Sequence, residues 1–272
     1  MKAKQLFPAI FSRHADAYRR RHDVSGAPSR QRLIELLSPR PGERLLDVAC
    51  GPGTIALQLA EAAGGIEVIG IDLAAGMLEV GRREAERRGL KVRFLEMDME
   101  NLAFAGSSFD GAACGHGLQF CPELQQALRE VRRVLKSGGR FAASVPAGGG
   151  SSLSAAIMAR LDTEHLPPAP EASDRKDTKA IVGDPERFRA AALAAGFASA
   201  RTEVVSEDRT WPNAEAMVES LSGWWAIASR LEQLDEAGRE RYKAAALAAL
   251  RAEFGAGPIP VTGSSNVLYA TA

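Results

Sequence analysis

LLDVACGPG, residues 45–53, is the stretch that decides the architecture. A short apolar run carrying one acid, Asp47, leads into a turn with glycine at 51 and 53. From residue 55 the apolar residues take helical spacing until Gly64 and Gly65 close the segment. The unit reads as strand, tight turn, helix, because an apolar run of this length suits a buried strand and glycines commonly end a helix. Glycine in the turn lets a large ligand approach the backbone. A dinucleotide site would prefer G-x-G-x-x-G, with helix N–H groups around a pyrophosphate. Here the third glycine position is not met and an acid stands just before the turn, which disfavours a nicotinamide dinucleotide. A carboxylate in that place suits a cofactor whose nearby part is cationic, such as the ammonium of a methionine moiety, held directly or through water.

Working outward, residues 67–71 (EVIGI) form a second buried strand, 75–88 a helix ended by Gly89, and 91–96 a third strand. Residues 109–114 form a fourth strand, after which Pro122 opens a helix with Leu124, Ala127, Leu128, Val131, Val134 and Leu135 at a 3.6 period. Residues 140–145 are the fifth strand, and upstream Leu33, Ile34 and Leu37 mark a helix over 29–37. Strands alternating with helices predict right-handed crossovers and a parallel sheet covered on both faces. The AGGGSS run, 147–152, is the clearest flexible break, and an inserted segment is expected to begin there. Helices are expected over 153–161, 185–195, 214–231 and 235–254, with a proline-rich polar loop from 167 to 179. Residues 200–211 read as extended, and 259–271 as a final strand interrupted near Gly263.

Two further acids stand at strand ends. Asp72 follows Gly53 by 19 residues, about the separation at which an acid accepts hydrogen bonds from ribose hydroxyls. Asp98, after the third strand, suits an adenine amino group, with Met77 and Met99 as soft apolar surfaces for the ring. Three acids at successive strand ends are better explained by one ligand lying across the edge of the sheet than by solvated loops.

Composition narrows the partners. Lys and Arg number 34, as do Asp and Glu, so no global positive field draws the chain onto nucleic acid. Residues 1–40 nevertheless hold nine Lys or Arg against three acids, read as a solvated helix face or as steering for an anionic substrate. The cysteines Cys50, Cys114 and Cys121 form neither a disulfide framework nor a C-x-x-C zinc pattern, and no metal is expected. No apolar run reaches the ~20 residues of a bilayer span, and the N-terminus lacks a signal-peptide run; a cytoplasmic protein is expected.

The runs DVACGPG, IGIDLAAGML, FLEMDMENLAF, SFDGAACGHGLQF and ALREVRRVLKSGGRF together resemble class I S-adenosylmethionine-dependent methyltransferases, and among them the ubiquinone and menaquinone biosynthesis branch. The resemblance is strong over residues 33–145 and only architectural beyond. It implies an α/β, Rossmann-like sheet of seven mostly parallel strands with helices on both faces, an antiparallel last strand and a helical cap insertion. The whole chain, 1–272, would be one domain: a helical lid (1–40), a cofactor-binding core (41–146), and the remaining strands with a substrate cap (147–272, its helices in 147–183 and 214–254). Asp47, Gly51 and Gly53 would hold the methionine end of S-adenosylmethionine, Asp72 the ribose and Asp98 the adenine. The cofactor-facing set implied is completed by Tyr18, Ala49, Cys50, Leu73, Met77, Met99 and His116. Ala49 stands where the motif often has glycine, and Tyr18 belongs to an N-terminal helix that folds over the cofactor in this family, with packing as its other reading.

Methyl transfer from a sulfonium is an in-line displacement on an activated donor, so alignment and exclusion of water are the main requirements, and a base is optional. His116 is the catalytic candidate: a base for a hydroxyl acceptor, a contact to cofactor or substrate, or structural filler. Trp224 and Trp225 are read as an aromatic wall for the substrate, with Gln119 beside it. Adjacent helical residues point about 100° apart, so at most one tryptophan faces the site, and the other is core or a contact in a homodimer. The expected reaction is methyl transfer to a small aromatic, quinone-like or isoprenoid acceptor at oxygen, carbon or nitrogen, leaving S-adenosylhomocysteine. GHGLQF stands where a nucleic-acid base methyltransferase would carry a D/N-P-P-Y/F motif. The alternative is an enzyme of the same fold that uses the sulfonium charge for a cyclisation, decarboxylation or rearrangement.

Overall fold

Three helices, α1 (Ala3–Arg13), α2 (Ala15–His22) and α3 (Ala27–Leu37), precede the first strand, β1 (Arg44–Val48). Then follow α4 (Thr54–Ala62), β2 (Glu67–Asp72), α5 (Ala75–Arg88), β3 (Val92–Glu96), β4 (Phe109–Gly115), α6 (Leu124–Val134) and β5 (Leu135–Pro146). The second half of the chain holds α7 (Leu153–His165), α8 (Thr178–Gly183), α9 (Pro185–Ala194), β6 (Ser199–Ser206) and β7 (Arg209–Trp211). It ends with α10 (Ala214–Ser220), α11 (Trp225–Leu231), α12 (Glu236–Phe254), β8 (Ile259–Val261) and β9 (Ser264–Thr271). This computed structural model describes residues 1–22, 27–147, 152–174 and 177–272. Most of the expected break at 147–152, and two residues of the polar loop, lie outside the described residues.

Seven strands form one sheet in the order β3-β2-β1-β4-β5-β9-β6. The pairs from β3 to β5 are parallel, and β9 runs antiparallel to both β5 and β6, as the sequence reading expects. Successive residues of a strand face opposite sides, and β1 shows the result. Leu46 and Val48 pack with Val131, Phe141 and Phe188 under α6 and α9. Leu45 packs on the other face with Leu33, Leu37, Ile55 and Leu59 from α3 and α4. Asp47 shares that second face but sits near the strand's carboxyl end, beside Gly70 and Ala113. Strand order reverses at β1 and β4, the switch point at which open α/β sheets bind ligands beyond the carboxyl ends of their strands.

The segment 1–40, expected to be a lid, divides. Leu33 and Leu37 of α3 are fully buried in the sheet core, whereas α1 and α2 pack over α5 and the sheet edge. The extended stretch 200–211 is two strands. β6 stays in the sheet and β7 leaves it to pair with β8, so the same ladder bends at 207–208 on one side and at 262–263 on the other. That bend is the physical source of the interruption near Gly263. The helix expected over 214–231 is broken by a single 3-10 turn at Leu221–Gly223, where the chain passes against Ala17 of α2. A separate cap core gathers Met158, Leu161, Trp211, Met217, Tyr242, Leu250 and Ile259.

Candidate functional site

A cleft of about 940 Å³ opens at the carboxyl edge of β1, β2 and β4. Its floor is the turn after β1, its sides are the ends of β2 and β4 and the segment after β3, and α1 roofs it with Lys4, Phe7, Pro8 and Phe11. Of the expected residues, Tyr18, Asp47, Ala49, Cys50, Gly51, Asp72, Leu73, Met77, Asp98, Met99 and His116 line this one space.

The turn is built by backbone conformation. Ala49, Gly51 and Gly53 all have positive φ, at 53°, 53° and 76°. A side chain on Gly53 would place its Cβ 2.5 Å from the Phe94 ring, so Gly53 serves the turn and the start of α4 without lining the cleft. Asp72 ties the turn to β2, because its Oδ2 accepts the Gly51 N–H at 2.8 Å and its Oδ1 the Ala74 N–H at 2.8 Å. Burial pushes its carboxyl up, against the pull of those amides. Each carboxylate oxygen keeps a further lone pair for a ligand hydroxyl.

Asp47 is 1% exposed. Its Oδ2 accepts the Ala56 N–H in the first turn of α4 at 2.9 Å, and its Oδ1 has no partner among the described residues. Burial pushes its carboxyl up to about 8, with the Ala56 amide opposing. An orphaned buried oxygen costs about 1–3 kcal/mol, and a cationic ligand group at this point would satisfy it. Asp98 accepts the Glu100 N–H at 2.9 Å through Oδ1 and the Lys4 ammonium at 2.6 Å through Oδ2. Lys4 also pairs with Glu100, whose Oε1 accepts the Cys121 thiol at 3.1 Å. A cleft with a carboxylate at one end for a cation, one in the middle for a diol, one at the far end for an amino group, and methionines between them fits S-adenosylmethionine.

His116 directly follows β4 with φ of 53°, a left-handed conformation that costs a non-glycine residue about 1–2 kcal/mol. Its N–H donates to the Ser144 carbonyl at 2.8 Å. Gly117 has to follow, since a Cβ there would stand 2.5 Å from that of Ala49. The imidazole Nε2 lies 3.0 Å from Ser265 Oγ. Burial, reinforced by the Arg30 guanidinium, pushes its pKa down to about 4, so the ring is neutral near pH 7. The Tyr18 hydroxyl is pushed up to about 12 by burial and then by the Asp72 charge.

Three of the residues expected at the substrate do not line the cleft. Trp224, at the start of α11, is 43% exposed and lies 5.7 Å from the Arg21 guanidinium, on the surface. Trp225 points inward but stands behind the cleft wall, edge-on to Phe7 at 5.3 Å and Phe120 at 5.7 Å. Gln119 turns back to donate to the His116 carbonyl at 2.7 Å and does not line the cleft. The aromatic wall is instead Phe7, Phe11 and Phe120, with the Phe120 ring meeting Phe7 at 5.1 Å and Phe11 at 5.3 Å. Sequence reasoning missed Lys4, Phe7, Phe11 and Glu100; the alternation of apolar and basic residues in α1 was a signal for a roof but not for its partners. Among the described residues no group of three or more His, Cys, Asp or Glu is placed to hold a metal. No helix of these residues is long and apolar enough to cross a membrane.

Comparison with known proteins meets the same residues. A family model described as a methyltransferase domain matches residues 45–139. Demethylmenaquinone methyltransferase of Thermus thermophilus is 44% identical over 112 residues, 41% of this chain and 51% of that protein. Aklanonic acid methyltransferase DauC of a Streptomyces species is 34% identical over 145 residues, 53% of this chain and 66% of that protein. The chain thus spans about half to two thirds of the length of these curated relatives. Among solved structures, a phosphoethanolamine N-methyltransferase of Haemonchus contortus in complex with S-adenosylhomocysteine superposes with a TM-score of 0.53 at 18% identity. That likeness covers 89% of this chain and 52% of the other. Residues 45–139 thus match a methyltransferase domain, and the seven-stranded sheet that carries them has the fold of the superposed methyltransferase.

Proposed function

We propose that the chain transfers a methyl group from S-adenosylmethionine to a small, planar, quinone-like acceptor. The observation that carries this reading is the single cleft that holds Asp47, Asp72 and Asp98 beneath an aromatic roof, with the Oδ1 of Asp47 unpartnered. Bound S-adenosylmethionine would supply a methyl group activated by its sulfonium, whose sulfur keeps the electron pair when the bond to carbon breaks. Asp47 and the 49–53 turn hold the methionine end, Asp72 accepts the ribose hydroxyls, and Asp98 accepts the adenine amino group between Met77 and Met99. Tyr18 closes over the Gly51 backbone, whose added Cβ would lie 4.0 Å from its ring.

Phe7, Phe11 and Phe120 give a planar acceptor an apolar wall, with Trp225 as the second row that keeps Phe7 and Phe120 in place. α1 excludes water from the transfer point, and His116, neutral at pH 7, offers a lone pair to the acceptor's proton. Relatives named for demethylmenaquinone and for aklanonic acid support a quinone-like small-molecule acceptor. Three cysteines, all free and buried, suit a cytoplasmic enzyme. Incubation with methyl-labelled S-adenosylmethionine and a size-fractionated bacterial extract is the test. Label in the small-molecule fraction is expected, and label confined to protein or nucleic acid would overturn the reading.

A further inference from the structure

The bend between β6 and β7 turns Glu207 inward, where it is 6% exposed. Its Oε1 accepts the Ser265 hydroxyl at 3.0 Å and the Ser29 N–H, in the first turn of α3, at 3.3 Å. Ser265, the second residue of β9, is 1% exposed, and its Oγ is also the atom 3.0 Å from His116 Nε2. A serine hydroxyl has one hydrogen. With that hydrogen on Glu207, the bond between Ser265 and His116 must be donated by the imidazole. His116 is therefore the Nε2–H tautomer, and its Nδ1 carries a lone pair.

His116 lines the cleft, and no hydrogen bond reaches Nδ1 from the described residues. The three residues come from the end of β4, the start of β9 and the β6–β7 bend, so the arrangement exists only in the folded chain. Glu207 Oε2 has no partner among the described residues, whereas a carboxylate buried for structure alone has both oxygens satisfied. The charges around the chain of bonds are Arg30 of α3, which acts on His116, and Arg209 of β7, on which the Glu207 charge acts.

We propose that Ser265 and Glu207 are positioning residues that hold His116 with Nδ1 toward the acceptor, and that the acceptor is one that must lose a proton, a hydroxyl or an enolisable carbon. The proposal rests on the methyl-transfer reading. In the step, the bond from the acceptor atom to the methyl carbon forms while the sulfur–methyl bond breaks with its electron pair left on sulfur. The acceptor's proton passes to Nδ1. The imidazolium so formed keeps its Nε2–H on Ser265, and the Glu207 carboxylate opposes its positive charge until the proton leaves to water. A carboxylate or a tertiary amine would need none of this, because neither loses a proton on methylation.

The test has two arms. The full chain, labelled with nitrogen-15 in its four histidines and saturated with S-adenosylhomocysteine, is followed by NMR, with His116→Asn assigning the signal. At pH 7 His116 is expected to show a protected Nε2 proton and an unprotonated Nδ1. Ser265→Ala and Glu207→Gln are each expected to lose that protection. A proton on Nδ1 in the parent protein, or protection unchanged in both variants, overturns the proposal. The second arm uses 1,4-dihydroxynaphthalene as acceptor. Each variant should lower kcat by about tenfold or more with KM for the cofactor changed less than about twofold. The loss should shrink as rising pH ionises the acceptor unaided, whereas an equal loss at every pH would mark a structural role and overturn the assignment. If the parent protein does not methylate the probe, the methyl-transfer reading is what fails, and the NMR arm still decides the tautomer.

Discussion

Asp47 is where burial and binding oppose each other most sharply. With its carboxyl pushed up to about 8, the cofactor-free protein holds it as the acid at pH 7, and a cationic ammonium beside Oδ1 would drive the proton off. Binding at pH 7 is therefore expected to release close to one proton, read by calorimetry in buffers of different ionisation enthalpy; no release would contradict the placement of the ammonium. The linkage sign follows from the same shift. A folded-state value above the ordinary carboxyl value of 3.8 gives a contribution that is fully present below about pH 4 and lost as pH rises through 8. Asp47→Asn should accordingly raise the urea stability of the cofactor-free protein more at pH 8.5 than at pH 6, by on the order of 1–3 kcal/mol. Asp72→Ala removes the acceptor proposed for two ribose hydroxyls and should raise the Kd for S-adenosylhomocysteine about tenfold or more. At this scale the sequence was informative about the acids, because each ends a strand whose apolar run is legible. The Glu207–Ser265–His116 chain was not legible, since its members lie 58 and 149 residues apart and none carries a local motif.

Among the elements, the turn between β1 and α4 and the helix α1 set the geometry of the cleft. Gly53→Ala would combine a φ of 76° with a Cβ 2.5 Å from Phe94. A loss of about 2–4 kcal/mol in thermal or urea unfolding is expected from strain and overpacking together; wild-type stability would mean that the turn adapts. α1 is tied at its start by Lys4 to Asp98 and Glu100 and at its end by Ser12 to the Gly76 amide at 3.2 Å. Lys4→Met should weaken cofactor binding several-fold, by roughly 1 kcal/mol for a partly exposed pair, and should remove much of the salt dependence of that binding in the parent protein. An unchanged Kd at both low and high salt would separate α1 from the cofactor. The strand-helix alternation over 44–145 was readable because each element carries its own period and its own stop. The cap was readable only as helices and extended pieces, because its breaks depend on contacts such as Gly223 against Ala17 and on the sheet's bend at 207–208.

At the scale of the molecule, the carboxyl edge of the sheet forms one side of the cleft and α1 roofs it. The tryptophan pair shows the limit of reasoning from residue type. Trp224 and Trp225 sit in the right segment, yet a one-residue difference in phase sends one to the surface and the other behind Phe7 and Phe120. The three acids were readable because each follows a legible strand; the aromatic wall depends on how α1 and the segment after β4 converge. The central claim is that this cleft moves a methyl group to a small planar acceptor. It is tested most directly by supplying purified protein with trideuteromethyl-labelled S-adenosylmethionine and reduced demethylmenaquinone, and following both by mass spectrometry. Equal appearance of labelled methylated quinol and S-adenosylhomocysteine is expected. Tight cofactor binding with no trideuteromethyl group on this acceptor or on any other small quinol would contradict the account.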